Sequence, residues 1–227
     1  MIHVLDNPIF NALTSGNKNL SEGSGDVRFF SRDVAPFVGM RNNTPDEFAR
    51  LYEILPFKGN FAIFTPAEVE IPGPWKINYH LNLLQMVYEA ETPLTGTEVP
   101  VALGEEDIPA MIALTQLTTP GPFFSRTIDF GNYLGLFEGD QLVSLAGQRL
   151  QPSPYIEISA VCTHPEHLGK GYASKLLKEQ IRLIRQQGNI PFLHVLKDNL
   201  SAVNVYKRLG FTVRREMLVY SFHNQES

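Results

Sequence analysis

The sequence predicts an α/β fold over its second half, preceded by a smaller α+β part. Three observations predict this. After residue 100 the hydrophobic periodicity runs helix, three strands, helix, strand, helix, strand. Glycines stand at the helix boundaries of that half rather than inside its helices. The stretch before it mixes one well-signalled helix with apolar strand-like runs. The Thr-, Pro- and Gly-rich piece ETPLTGTEVP (91–100) reads as a connector, which divides the chain into residues 1–94 and 95–227.

Taken in order, TPDEFARLYEIL carries a helix start: Thr44 as N-cap, Pro45 at the first position and acids in the first turn. GNFAIFTP and WKINYHLNLLQMVYEA supply strand-like runs, and residues 1–94 hold no catalytic constellation. GEEDIPAMIALTQLT predicts a helix with Ile108, Met111, Ile112 and Thr115 on one side. GNYLGLFEGDQLVSLAGQRLQ is two strands turning at Glu138-Gly139-Asp140, and YIEISAVCT is a third. A long helix follows, with Ala173, Leu176, Leu177, Ile181 and Ile184 at helical spacing and Gly188 as its stop. PFLHVLK is a strand, LSAVNVYKRLG a short helix ending at Gly210, and FTVRREMLVYSF a closing strand.

The bulk properties narrow the function. With 227 residues there is ample material for a core, as one large or two small domains. A net charge of −5 argues against a general nucleic-acid binder. The single cysteine, Cys162, excludes an internal disulfide framework and fits a reducing compartment. The first twenty residues lack a basic leader and a continuous apolar core, and LNLLQMVYEA is too short to span a bilayer. The expectation is a cytoplasmic globular protein with no membrane segment.

The stretch THPEHLGKGYASKLL puts Gly169-Lys170-Gly171 where a helix starts. The first-turn N–H groups have no partner inside the helix, and with the macrodipole they form an anion site. A P-loop string G-x-x-x-x-G-K-[ST] is absent. A dinucleotide fingerprint fails as well: Ser174 stands where its third glycine belongs, and no acid lies between Glu179 and Asp198 to hold a ribose.

ISAVCTHPEHLGKGYASKLL resembles the coenzyme-A signature of the GCN5-related N-acetyltransferase (GNAT) superfamily. There a strand feeds an R/Q-x-x-G-x-G/A loop. NLSAVNVYKRLGF is similar to that superfamily's N-x-x-A-x-x-x-Y-x-x-x-G-F block, with Asn199, Ala202, Tyr206, Gly210 and Phe211 in place. The resemblance covers roughly residues 100–222, and PGPFFSRTIDFGNYLGLFEGDQLVSLAG points to the FR47-like branch. It implies the GNAT fold, a mixed, mostly antiparallel central sheet with flanking helices. It also implies acetyl-CoA as co-substrate with no metal, and a small-molecule or peptide amine as acceptor, in a monomer or homodimer.

It implies a site too. Leu168, Gly169, Lys170, Gly171, Tyr172, Ala173 and Ser174 would bind the diphosphate, chiefly through backbone amides. Val161, Cys162 and Thr163 lie on a strand that splays in the superfamily and pairs with the pantetheine. Asn199 and Ala202 would touch the same arm, Asn199 also capping its helix. Tyr206 would protonate the departing thiolate. Glu157 would accept the amine's proton, with His194 as a second candidate. Leu168 departs from the usual Arg or Gln, which implies weaker coenzyme binding, partly offset by His167 and Lys170. Cys162 suits a buried small hydrophobe better than an acyl carrier. Arg126, Asp129, Phe123 and Phe124 are placed to line an acceptor pocket or to serve as loop and core. Two alternatives stay open: transfer of a longer acyl group, as in glycine N-acyltransferases, and a coenzyme-A-binding module without turnover.

Overall fold

The computed structural model describes residues 3–90 and 100–224. The predicted connector, apart from Pro100, lies outside them. Helix α1 (Pro8–Leu13) starts at Asn7, whose side chain accepts the Phe10 N–H. Strands β1 (Ser21–Ser24), β2 (Val27–Phe30) and β3 (Val38–Met40) form a small antiparallel sheet. Helix α2 (Pro45–Ile54) has the capping box its sequence promises, with Thr44 and Glu47 satisfying each other's backbone N–H.

Next come β4 (Asn60–Thr65), β5 (Trp75–Tyr88), β6 (Val101–Ala102), α3 (Ile108–Thr118), β7 (Leu134–Glu138) and β8 (Gln141–Gln148). Then follow β9 (Tyr155–Thr163), α4 (Tyr172–Gln186), β10 (Ile190–Leu196), α5 (Leu200–Leu209) and β11 (Phe211–Asn224). The main sheet has the order β4-β11-β5-β10-β9-β8-β7-β6. Every neighbouring pair described is antiparallel except β9 with β10. Strands β4 and β5, from the sequence's N-terminal part, therefore share one sheet with the strands of the second half.

Helices α4 and α5 cover one face. Leu177, Ile181, Ile184, Val203 and Tyr206 pack there on Ile156, Ile158, Leu193 and Val195. The α3 helix and the N-terminal segment cover the other face, where Met111, Leu114, Leu145, Phe192 and Phe64 meet. Helix α2 closes a third cluster over β4 and β11, with the Trp75 indole N–H donating to Phe48 O at 3.1 Å. One expectation shifts. The residues of α3 that reach full burial are Met111, Leu114 and Thr115, while Ile108 and Ile112 are only partly covered. The 3-10 turn Glu105–Asp107 that precedes α3 sets the helix's rotation, which the periodicity alone does not fix.

Candidate active site

Strands β9 and β10 pair over only three positions, Tyr155 with Ile190, Ile156 with Pro191 and Glu157 with Phe192. Beyond these they separate: β9 continues on β8 and β10 on β5. The parting coincides with a β-bulge, where Ala160 and Val161 together oppose Ala146 and Ala160 takes φ +54°. A non-glycine residue held there is strained, and bulges of this kind re-aim a strand.

Alternation along β9 settles which backbone groups face the gap. His164 N–H donates to Val143 O at 2.8 Å, and the Cys162 carbonyl accepts the Ser144 hydroxyl at 2.7 Å. Cys162 is thus committed to β8, and the main-chain groups of Val161 and Thr163 point into the opening. The Cys162 side chain is buried, and that burial pushes its thiol up to about 11, so it is no nucleophile at neutral pH.

The glycine loop adjoins the opening. Gly169 and Gly171 take φ of +80° and +78°, and an added Cβ at either would meet nothing within 4 Å. No side chain caps α4 among the described residues, and the ladder begins with Lys175 N–H to Gly171 O. The space beside Gly169 and Gly171 at the start of the helix is a cradle that fits a diphosphate. Lys170 Nζ lies 3.3 Å from Glu138 Oε1 and 3.3 Å from His167 Nδ1. The Tyr172 hydroxyl also donates to Glu138, and together with Lys170 it holds that carboxyl below its ordinary range. The offset expected from Lys170 is thus shared with the β7–β8 hairpin.

Leu168 is 66% exposed. Leu168→Arg is expected to tighten coenzyme A several-fold, the contribution of one exposed charge-assisted hydrogen bond of roughly 1 kcal/mol. Calorimetric titration checks this, and an unchanged or weaker Kd would overturn it.

Asn199 Oδ1 accepts the Ala202 N–H at 3.1 Å, which makes it the cap of α5. One turn on, Tyr206 is buried with its ring edge-on to Phe211 at 6.1 Å. Val161 and Ala202 pack on the same apolar cluster as Tyr206. Burial pushes the phenol up to about 12, and among the described residues no hydrogen bond engages its hydroxyl.

Glu157 is fully buried and its carboxylate is already occupied. Arg149 grips both oxygens, at 2.8 and 2.7 Å, Leu150 N–H lies at 3.3 Å and His194 Nδ1 at 2.7 Å. Burial alone would raise its pKa, but the charge and hydrogen bonds of Arg149, with the hydrogen bond of His194, bring it to about 2. The chain of contacts continues: His194 Nε2 meets Gln85 Nε2 at 3.0 Å, and Gln85 Oε1 accepts Arg214 at 2.6 Å. Arg214 and Arg215 both reach Asp6 Oδ1, at 2.6 and 2.8 Å.

Arg214 fixes the Gln85 oxygen, so the Gln85 amine donates to His194 Nε2 and His194 Nδ1–H donates to Glu157. This geometry speaks against the expectation that Glu157 or His194 takes the amine's proton: each already spends its accepting atoms on a partner. Arg149 and Gln85, which complete the cluster, carry no local signal in the sequence. Arg126, expected near the acceptor, is tied to Asp129 and Glu105, and Phe123 packs edge-on to Tyr133 at 5.6 Å.

Known proteins resemble this chain in sequence and fold. The family model described as FR47-like protein matches residues 133–219. A GNAT-family protein from Novosphingobium aromaticivorans DSM 12444 is 31% identical over 99% of this chain and 100% of its own, with a TM-score of 0.92. The N-alpha-acetyltransferase RimI of Mycobacterium tuberculosis is 31% identical over 97 residues, 40% of this chain, and the match spans 60% of that relative's length. The GCN5-related N-acetyltransferase of Kribbella flavida shares the fold, with a TM-score of 0.60 at 13% identity, over 96% of both chains. These relatives place the chain among the acyltransferases of this fold. It belongs to the GNAT family.

Proposed function

We propose that the protein transfers an acetyl group from acetyl-CoA to an amine by direct attack in a ternary complex. The observation that carries this reading is the opening between β9 and β10, which ends at the uncapped start of α4. Acetyl-CoA supplies a thioester whose carbonyl carbon is open to a nucleophile. The amides from Gly169 to Ser174 hold the diphosphate, and the Val161 and Thr163 main chain orients the pantetheine as an added strand. Asn199 contributes to the same arm from the start of α5, beside Ala202.

The amine nitrogen bonds to the carbonyl carbon, the carbon–sulfur bond breaks, and the Tyr206 hydroxyl gives its proton to the leaving sulfur. The amine's proton leaves to water in the opening. Glu157 is a positioning residue, which with Arg149 pins the strands at the point where they part.

Among the described residues no helix is long and apolar enough to cross a membrane. No group of His, Cys, Asp or Glu among them is placed to hold a metal. Calorimetry with acetyl-CoA, followed by free-thiol release over a panel of amines and short peptides, tests the reading. Binding together with acceptor-dependent thiol release is expected. Binding without release across the panel would leave a coenzyme-binding module instead, and faster release with longer acyl donors would shift the donor to the glycine N-acyltransferase type.

A further inference from the structure

We infer that the cavity between the start of β4 and the loop after α3 is a carboxylate subsite, which receives the far end of a short extended peptide acceptor. The inference rests on the acetyl-transfer reading for the direction in which that acceptor lies. The cavity holds about 350 Å³. Its floor is one row across three strands, Ala62 on β4, Ser221 on β11 and Tyr79 on β5, which the register sets side by side. Phe57 and Phe124 wall it, and Arg32 and Lys58 bring two positive charges.

No carboxylate lines the cavity, and neither cation has an ion-pair partner among the described residues. On a chain of net charge −5, a hollow that concentrates cations and excludes acids is a complementary place for an organic anion. Aromatic walls lower the local dielectric and strengthen such a pairing.

The neighbouring surface says what that anion is attached to. The pairing of β10 with β5 ends at Leu196 opposite Leu83, which leaves the β5 edge from Trp75 to Asn82 without a strand partner on that side. Among the described residues only Lys197 N–H returns to it, on Asn82 O. A second cavity of about 520 Å³ runs along this edge, bounded by His80, Leu81 and Asn82 on one side and by Leu196, Lys197 and Asp198 on the other. Asp198 is followed directly by Asn199, the residue proposed to touch the pantetheine. Tyr79 of the first cavity and His80 of the second are consecutive residues of β5.

A free strand edge offers main-chain donors and acceptors to an extended peptide. From Leu83 to Tyr79 is four residues of strand, about 13 Å, the length of roughly four extended residues. A peptide lying there puts its amine toward the opening and its terminal carboxylate between Arg32 and Lys58.

The test compares tetra-alanine as free acid with tetra-alanine amide, by thiol release with acetyl-CoA. The free acid is expected to have a kcat/KM about tenfold higher, through KM. The Arg32→Ala, Lys58→Ala double variant should bring the ratio near one, and Arg32→Glu should reverse it. Equal rates for acid and amide, or a ratio that survives the double variant with a native circular dichroism spectrum, would overturn the inference. If acetyl-CoA binds and neither peptide is acetylated, the panel of amines judges the transfer reading, and calorimetric titration of the two peptides decides the subsite by itself. Acid-selective heat lost in the double variant sustains it; no selectivity removes it.

Discussion

Tyr206→Phe is expected to lower kcat about a hundredfold and to leave the Kd of acetyl-CoA within a factor of two. The ring stays packed on Phe211, so only the hydroxyl is lost from a well-filled cluster. Positioned proton donors contribute on the order of 10²–10⁴ to rate, and a thiolate is a good enough leaving group to need the lower end. Because burial holds the phenol at about 12, the donor keeps its proton across the whole working range. The pH profile of kcat should therefore show no alkaline fall assigned to this group below about pH 11. Full turnover by the phenylalanine variant with its best acceptor would remove Tyr206 from the chemistry.

The second large effect is on stability. Glu157→Gln should destabilise the fold by about 3–5 kcal/mol, because it leaves the buried Arg149 guanidinium without its counter-charge. The same pair predicts acid sensitivity. The folded carboxyl titrates near 2, against an ordinary value of 4.5, so in the window between them the unfolded chain binds more protons. The stabilisation is complete above about pH 4.5 and is lost as the pH falls toward 2, on the order of 3 kcal/mol in all. Urea titrations at pH 6 and pH 3 measure both effects. A loss under 1 kcal/mol in the variant, together with an acid dependence equal to that of the unaltered protein, would show that the cluster does not anchor the sheet.

What the sequence made legible was what neighbouring residues decide among themselves. Thr44, Pro45 and Glu47 define the start of α2 within four positions, and Glu138-Gly139-Asp140 closes its hairpin in three. Gly188 and Gly210, both at positive φ, end α4 and α5 as expected. The glycine loop could be read because its turn, with positive φ at Gly169 and Gly171, requires local backbone freedom.

Illegible were the features set by distant partners. Glu157 was visible as the lone acid of its strand, but its bond to Arg149 depends on a turn that brings Leu150 beside it. The contact between Arg214 and Asp6 joins positions 208 apart, which no periodicity encodes. The small β1-β2-β3 sheet is built from runs of three or four residues, too short for alternation to register. The cation-lined cavity draws Lys58, Arg32 and Phe124 from three loops, and each alone looks like solvated surface.

The place of β5 in the sheet has a consequence for how the chain is made. Its neighbours on either side, β10 and β11, are the last two strands in sequence among the described residues, and Gln85 finds Arg214, 129 positions away. β4 has β11 as its one strand neighbour in the main sheet. Translated from N- to C-terminus, the polypeptide must carry both strands without their β11 partner until β11 leaves the ribosome. Ile77, Tyr79 and Leu81 stay open to water even afterwards, so the nascent protein is an expected client of holdase chaperones. Premature termination before Phe211 would yield a sticky fragment rather than a smaller working enzyme.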